Sequence, residues 1–276
     1  MKRNPIIFTD IDGTLVDHST YSFEPALPAL NLIKKYHIPL IFCSSKTRAE
    51  IEEYRKKMEI FHPFISENGG GIFIPKDYFT HTFKYTKEND AYKIIELGIP
   101  YKKLCLVLDD IKTKLNCDIR GFFDMKPEEI SSVCGLSFNE ALLSKKREFD
   151  EAFVIKGDNR LQNKVLKEIK RRGYQYTKGG RFFHITGEND KGKAVEILKA
   201  LYEKKYSHII TIGLGDSFND KPLLEGVDIA VLVKKPGGTH DPEIDMKGLI
   251  KVEGIGPKGW RDYIVSYLST MDCKRQ

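Results

Sequence analysis

Residues 8–16 read Phe-Thr-Asp-Ile-Asp-Gly-Thr-Leu-Val and follow directly on the apolar pair Ile6-Ile7. An apolar run closed by a glycine marks a buried strand leaving a core. Asp10 and Asp12 therefore stand at the carboxyl end of that strand, the edge where open α/β sheets hold their ligands. Two carboxylates so close repel each other unless a cation or a shared proton lies between them. A hard divalent ion such as Mg2+ is the natural partner, because it takes carboxylate oxygens and leaves room for a phosphate.

The pattern that follows fits such a sheet. Leu27, Leu30 and Ile33 have helical spacing, Ile38–Cys43 reads as a second strand, and Ile51, Tyr54 and Met58 share one face of the next helix. Phe64-Ile65 is a short third strand before Glu67-Asn68-Gly69-Gly70-Gly71. This strand–helix alternation predicts an α/β, Rossmann-like core with a parallel sheet and helices on both faces. The middle of the chain changes character. Leu104, Leu108, Ile111 and Leu115 mark a helix, and Ser137 with Glu140 forms a capping-box pattern. A strand over 151–155, a helix through Val165 and Ile169, and strands over 174–177 and 181–186 follow, which together predict an α+β insert. The parallel pattern returns with a helix over 191–201, strands over 209–213 and 229–233, and a closing helix through Trp260, Ile264 and Leu268. The predicted division is 1–84 and 188–276 for the core and 85–187 for the insert.

Bulk properties exclude several classes. No apolar run is long enough to span a bilayer, and residues 1–5 lead into the first strand with no signal-peptide pattern. The five cysteines show no CxxC spacing, so reduced thiols in a cytoplasmic protein are expected. The net charge of +6 is carried by basic residues interleaved with acids, as in residues 52–57. That suits a small anionic substrate better than nucleic acid, and no membrane partner is expected. Composition leaves the oligomeric state open.

Three further elements lie at strand ends or helix starts. Ser44 follows the second strand and offers a hydroxyl beside the free amides of a helix start. Lys191 opens a helix at the end where the dipole favours anions, an oddity that a bound phosphate resolves. Gly213-Leu214-Gly215-Asp216-Ser217-Phe218-Asn219-Asp220 places two carboxylates four residues apart after a strand.

In type, order and position these elements resemble the four motifs of the haloacid-dehalogenase-like (HAD) phosphatases and mutases. The resemblance implies Mg2+ held by Asp10, Asp12 and Asp216, with Asp220 at the ion or supporting its surroundings. It implies Asp10 as a nucleophile that forms an aspartyl-phosphate and Asp12 as the acid and base. Ser44 and Lys191 would hold the phosphoryl oxygens. An insert between the second and third motifs resembles a C2-type cap, as in the sugar-phosphatase branch.

Residues 45–48, 146–151, 179–184 and 215–220 further resemble the signatures of the mannosyl-3-phosphoglycerate phosphatases, over essentially the full length. That family converts mannosyl-3-phosphoglycerate to mannosylglycerate, a compatible solute; related enzymes take the glucosyl analogue. The implied substrate is a small phosphorylated glycoside. Arg147 and Arg181 are expected to clamp its carboxylate. Glu148 and His184 are expected to meet sugar hydroxyls, and Ser45, Lys46, Thr47, Asn68, Gly69 and Gly70 to line the rim. Ala152 stands where the family often has proline. The alternatives are a general sugar-phosphate phosphatase or a phosphohexomutase of the same fold.

Overall fold

The computed structural model describes residues 3–179 and 182–272. Five parallel strands build the central sheet, in the order β13-β12-β11-β1-β2. These are β1 (Asn4–Thr9), β2 (Leu40–Phe42), β11 (Ile209–Gly215), β12 (Ile229–Lys234) and β13 (Ile250–Ile255). β1 is an inner strand, paired in parallel with both β11 and β2. It is apolar on both faces, so each face carries its own core. Ile7 packs with Phe42, Leu214, Val231 and Trp260. Ile6 and Phe8 pack with Ile41, Leu198, Leu223 and Leu232 on the other side. Continuous burial of this kind is what a sheet covered by helices on both faces requires. Trp260 is fully buried and donates its indole N–H to the Thr9 hydroxyl at 3.0 Å, which fixes the helix Gly256–Asp272 against the end of β1.

The third predicted strand does not simply extend this sheet. β3 (Phe64–Ser66) meets the parallel sheet through a single bridge, Cys43 to Ile65. Its main partner is the antiparallel β4 (Gly71–Pro75), which leads on to β6 (Tyr92–Glu96) and β5 (Lys87–Glu88). The cause lies in the turn. Glu67, Asn68 and Gly69 have φ of 47°, 53° and 85°, three consecutive left-handed residues that send the chain straight back.

A separate antiparallel sheet forms the cap, in the order β7-β8-β10-β9. Its strands are β7 (Asp118–Gly121), β8 (Glu151–Lys156), β9 (Gln175–Gly179) and β10 (Phe182–Thr186). One face packs under the helices Tyr101–Leu115 and Asn159–Arg171, where Phe153, Ile155 and Ile185 meet Leu104, Ile111, Val165 and Ile169. The other face carries Ala152 and Phe182, packed with Phe122, Met125, Ile130 and Ala141. His184 shares that second face by strand alternation and stands opposite Ala152. The capping box of Ser137 and Glu140 opens the helix Phe138–Ser144 as the sequence predicts. Among the described residues no helix is long and apolar enough to cross a membrane.

Candidate active site

β1 ends at Thr9, and the chain turns at Gly13 with φ of 75°. A side chain at Gly13 would lie 2.9 Å from an Asp216 oxygen, so the turn and the carboxylate share one small space. Asp10, Asp216 and Asp220 converge there from the ends of β1 and β11. Their carboxylate oxygens lie within 4.8 Å of one another, and all three residues are buried.

Lys191 enters the cluster from the opening turn of the helix Lys191–Lys205, whose N-cap is Asp190. The lysine is fully buried, with Nζ 2.7 Å from Asp10 Oδ1 and 2.5 Å from Asp220 Oδ1. Burial works against its charge, but the two carboxylates hold its pKa above the ordinary lysine value. The helix-start oddity is thus resolved by side-chain carboxylates reaching back over the helix end.

Asp220 is already fully engaged. One oxygen takes Lys191, and the other accepts the backbone N–H groups of Asp216 and Ser217 at 3.0 and 3.1 Å. It shapes the loop that carries Asp216. Asp10 and Asp216 are less well compensated. Burial, then the negative charge of Asp220, pushes the Asp10 carboxyl well above its usual range despite Lys191. The same two causes raise Asp216 to about 7, against the Thr14 hydroxyl bond at 3.1 Å. This set, short of positive charge and built from hard oxygens, fits a divalent cation.

Asp12 faces the opposite way. Its Oδ2 pairs with Lys46 Nζ at 2.9 Å, and its buried Oδ1 has no hydrogen-bond partner. Lys46 also lies 3.5 Å from Glu50 and over the rings of Tyr21 and Tyr54. Burial disfavours the Lys46 charge, yet Asp12 and Glu50 raise its pKa well above normal.

A cleft of about 430 Å³ connects these groups to the cap. Of the residues singled out in the sequence, Asp10, Asp12, Ser45, Lys46, Arg147, His184 and Asp216 line it. Lys191 and Asp220 stand directly behind Asp10. Ser44 is fully buried beside the cleft; its hydroxyl accepts the Lys46 N–H at 3.3 Å and keeps its proton for another acceptor.

Other predicted rim residues lie outside the lining. Thr47 caps the helix Arg48–Met58 and bonds the Leu143 carbonyl. Gly69 approaches the Asp190 carbonyl so closely that an added Cβ would lie 2.0 Å from it, and Gly70 packs on Phe149. Glu148 turns outward to Arg48 at 2.9 Å. Arg181 falls outside the described residues. Arg147 reaches the cleft, but its guanidinium is largely committed. It donates to the Asp150 carboxylate at 2.6 Å, to the Asp150 carbonyl at 2.7 Å and to the Ser45 carbonyl at 2.9 Å. An arginine so engaged ties the cap segment to the loop bearing Ser45. Glu67 fixes the same segment by accepting the N–H groups of Glu148 and Phe149. Burial pushes its carboxyl up to about 8.

Sequence reasoning missed His18, Tyr21, Ser217, Asn219 and Lys235 in the lining. Lys235 was the most accessible of these. It follows β12, so the strand-end logic applied to Asp10 and Asp216 reaches it too.

A five-stranded parallel sheet with a carboxylate cluster at its ligand edge and a β-sheet cap above defines a class. The chain belongs to the haloacid dehalogenase-like hydrolases, whose family model matches residues 7–236. Within that family it is 51% identical over 263 residues to a glucosyl-3-phosphoglycerate/mannosyl-3-phosphoglycerate phosphatase of Methanococcoides burtonii, covering 95% of this chain and 97% of that one. A protein of the same description from Persephonella marina is 41% identical over 97% of this chain and 98% of its own. A mannosyl-3-phosphoglycerate phosphatase of Pyrococcus horikoshii is 39% identical, covering 83% of this chain and 90% of the relative. The resemblance read from the sequence stands, and these relatives set the chain among the family's phosphatases. Among solved structures, a Thermoplasma acidophilum protein superposes with a TM-score of 0.68 at 17% identity, over 96% of this chain and 99% of that one. A sucrose-phosphatase of Synechocystis gives 0.63 at 12%, over 96% and 98%. At such identities these two speak for the shared core and cap fold.

Proposed function

We propose that the protein removes the phosphate from mannosyl-3-phosphoglycerate, with the glucosyl analogue as a second substrate, in a Mg2+-dependent reaction through an aspartyl-phosphate. The observation that carries this reading is the single cleft running from Asp10, Asp12 and Asp216 to a cap wall bearing Phe182, Ala152 and His184. Its size falls in the range of small-ligand sites. The activity by which two relatives matched over nearly their whole length are named supports the substrate.

Asp10 and Asp216 would hold the cation, with the backbone carbonyl of Asp12. When bound, the ion neutralises phosphoryl oxygens and relieves the repulsion between these two carboxylates. The rest falls to the chain's own groups. Lys191 fixes one oxygen of Asp10 and leaves the other free to attack phosphorus. As the new P–O bond forms, the ester P–O bond breaks and Asp12 gives its proton to the departing oxygen. Asp12 then takes a proton from the water that attacks the aspartyl-phosphate, which releases phosphate and restores Asp10. Ser44 and Lys191 hold the phosphoryl oxygens, and Lys46 keeps positive charge beside Asp12. The substrate's glycosyl part lies against the cap wall.

We further propose that the cap is an insert ending at 187/188 and holding all four strands β7–β10; the first boundary moves from the expected 84/85 to beyond Glu96, because β5 and β6 pair with β4 on the core side. Cys43, Cys105 and Cys117 are free thiols, which fits a reducing cytoplasm.

The deciding experiment measures phosphate release from mannosyl- and glucosyl-3-phosphoglycerate, with and without Mg2+, beside a panel of simple sugar phosphates. Turnover of the glycosyl-phosphoglycerates with no bisphosphate activator is expected. A preference for the simple sugar phosphates, or a requirement for the activator, would overturn the reading. Asp10→Asn is expected to abolish turnover with the fold intact; a variant keeping most of its activity rules out the nucleophile.

A further inference from the structure

Asp150 is fully buried and joins three segments of the chain, those of Asn68, Arg147–Asp150 and His184. Its two oxygens receive Arg147 Nη2 at 2.6 Å, His184 Nδ1 at 2.9 and 3.0 Å and Asn68 Nδ2 at 2.7 Å. Burial opposes the charge, but Arg147 and His184 outweigh it and bring the carboxyl down to about 2. An ionised carboxylate only accepts hydrogen bonds, so each neighbour must turn a donor toward it.

That constraint propagates in two directions. His184 must carry a proton on Nδ1, and in the neutral imidazole this leaves Nε2 as the acceptor on the cleft side. Asn68 must present its NH2 to Asp150, so its oxygen points away and accepts Asn219 Nδ2 at 3.3 Å. Asn219 then has its own oxygen left to accept the Ser217 hydroxyl at 2.8 Å, and Ser217 adjoins Asp216. Gly179 lies beside both ends of the chain of bonds: a Cβ there would stand in ordinary contact, 3.8 Å from His184 Nε2 and 3.6 Å from Asn219 Nδ2, and all three residues line the cleft.

Asn68 is tied further. Its backbone N–H donates to the Ser44 carbonyl at 3.0 Å, and its carbonyl accepts Asn189 Nδ2 at 3.3 Å. One residue, held at φ of 53°, thus touches the loops bearing Ser44, Lys191 and Asp216 and the cap residue Asp150.

We infer that Asp150 is a positioning residue that sets the tautomer of His184, so that Nε2 accepts a substrate hydroxyl, and that Asn68 links this cap contact to the loop carrying Asp216. The choice of a glycosyl-3-phosphoglycerate as substrate rests on the function proposed above; the tautomer does not. A polar chain with one fixed direction of donation gives the cap wall and the carboxylate cluster a shared geometry. It selects a ligand with a hydroxyl donor beside its phosphate.

The test uses the full-length protein. ¹⁵N-edited NMR of the histidine side chains, with His184→Phe to assign the signal, is expected to show His184 protonated on Nδ1. In Asp150→Asn the new amide can donate to Nδ1, and the proton is expected to move to Nε2. Asp150→Asn should lower kcat/KM on mannosyl-3-phosphoglycerate about 10- to 100-fold, as loss of an orienting partner does. On p-nitrophenyl phosphate, which offers no hydroxyl to the cap, the loss should stay within about threefold. The double variant with His184→Phe should be no worse than the worse single, because the two act as one unit. An unchanged tautomer, equal losses on both substrates, or additive losses would overturn the inference. Should Asp150→Asn not fold, Asn68→Gly tolerates the left-handed backbone and removes only the amide. It should leave the His184 tautomer unchanged and weaken the apparent Mg2+ affinity about tenfold; unchanged Mg2+ affinity removes the link. If wild type prefers another phosphate ester, the NMR result still decides the Asp150–His184 pair.

Discussion

Removing one charge from the carboxylate cluster, by Asp216→Asn, is expected to stabilise the cation-free protein while destroying its catalysis. The Asp216 carboxyl has a folded-state pKa of about 7 against 3.8 for an unperturbed aspartate, first through burial and then through Asp220. A raised acid pKa means that the folded chain holds its proton more tightly than the unfolded one. Below pH 4 both states are protonated and the group contributes nothing. Between about 4 and 7 the unfolded chain gives up its proton first, so native stability falls as pH rises. Above about 7 the whole penalty is present. At about 1.4 kcal/mol per pKa unit, the rise from 3.8 to about 7 corresponds to about 4 kcal/mol. Asparagine keeps the shape and can still accept the Thr14 hydroxyl, but carries no charge. In chelator near pH 8 the variant should therefore be more stable than wild type by up to about 4 kcal/mol. For a chain of this length that is a rise of roughly 8–16 °C in Tm. The gap should close as pH falls toward about 4.5. Saturating Mg2+ should raise wild type and leave the variant nearly where it was, because a cation that binds only the native state stabilises it by mass action. Thermal and urea unfolding at the two pH values, with and without Mg2+, measure all of this. A variant no more stable than wild type in chelator near pH 8, or a gap independent of pH, would refute the account of the cluster as a charge-repelled cation site.

Lys191→Met removes the only side chain cation bonded to Asp10 and Asp220 among the described residues. Breaking such a buried pair is expected to cost about 3–5 kcal/mol in urea unfolding at neutral pH, and phosphatase activity should be lost. Gly69→Ala would set a Cβ 2.0 Å from the Asp190 carbonyl at φ of 85°, beside the cap of the Lys191 helix. It should lower stability by about 2 kcal/mol or more, with kcat falling further than for Gly173→Ala, where the added Cβ meets nothing.

Much of the core was legible because its signals are local. Ile6–Phe8, Ile209–Gly215 and Ile229–Val233 are apolar runs that end in polar residues, and strand ends are where an α/β sheet presents its chemistry. Asp10, Asp12 and Asp216 could be found that way, and Lys191 from its place at a helix start. β13 could not. It is an edge strand with exposed Ile250 and Lys251, and it carries no apolar pattern distinct from a loop. The turn that makes β4 antiparallel was only partly visible: Asn68-Gly69 is a turn-favouring pair, but Glu67 is not a residue whose type announces a left-handed backbone.

The cap chemistry divides along the same line. Arg147 and His184 were picked from their surroundings in the sequence, but their partner Asp150 was not. Asp150 meets His184 across 34 positions, and Asn68 meets Asp150 across 82 and Asn219 across 151. A hydrogen bond between residues so far apart leaves no periodicity or spacing to read.

The sequence by itself determined four of the five strands of the parallel sheet and the carboxylates at their ends, because hydrophobic runs and strand ends are written in neighbouring residues. Tertiary structure alone decided that Asp220 serves Lys191 and the Asp216 loop, that Lys46 faces Asp12, and that Arg147 braces the cap. Those roles depend on which charges burial brings within reach of one another, and burial is a property of the folded chain.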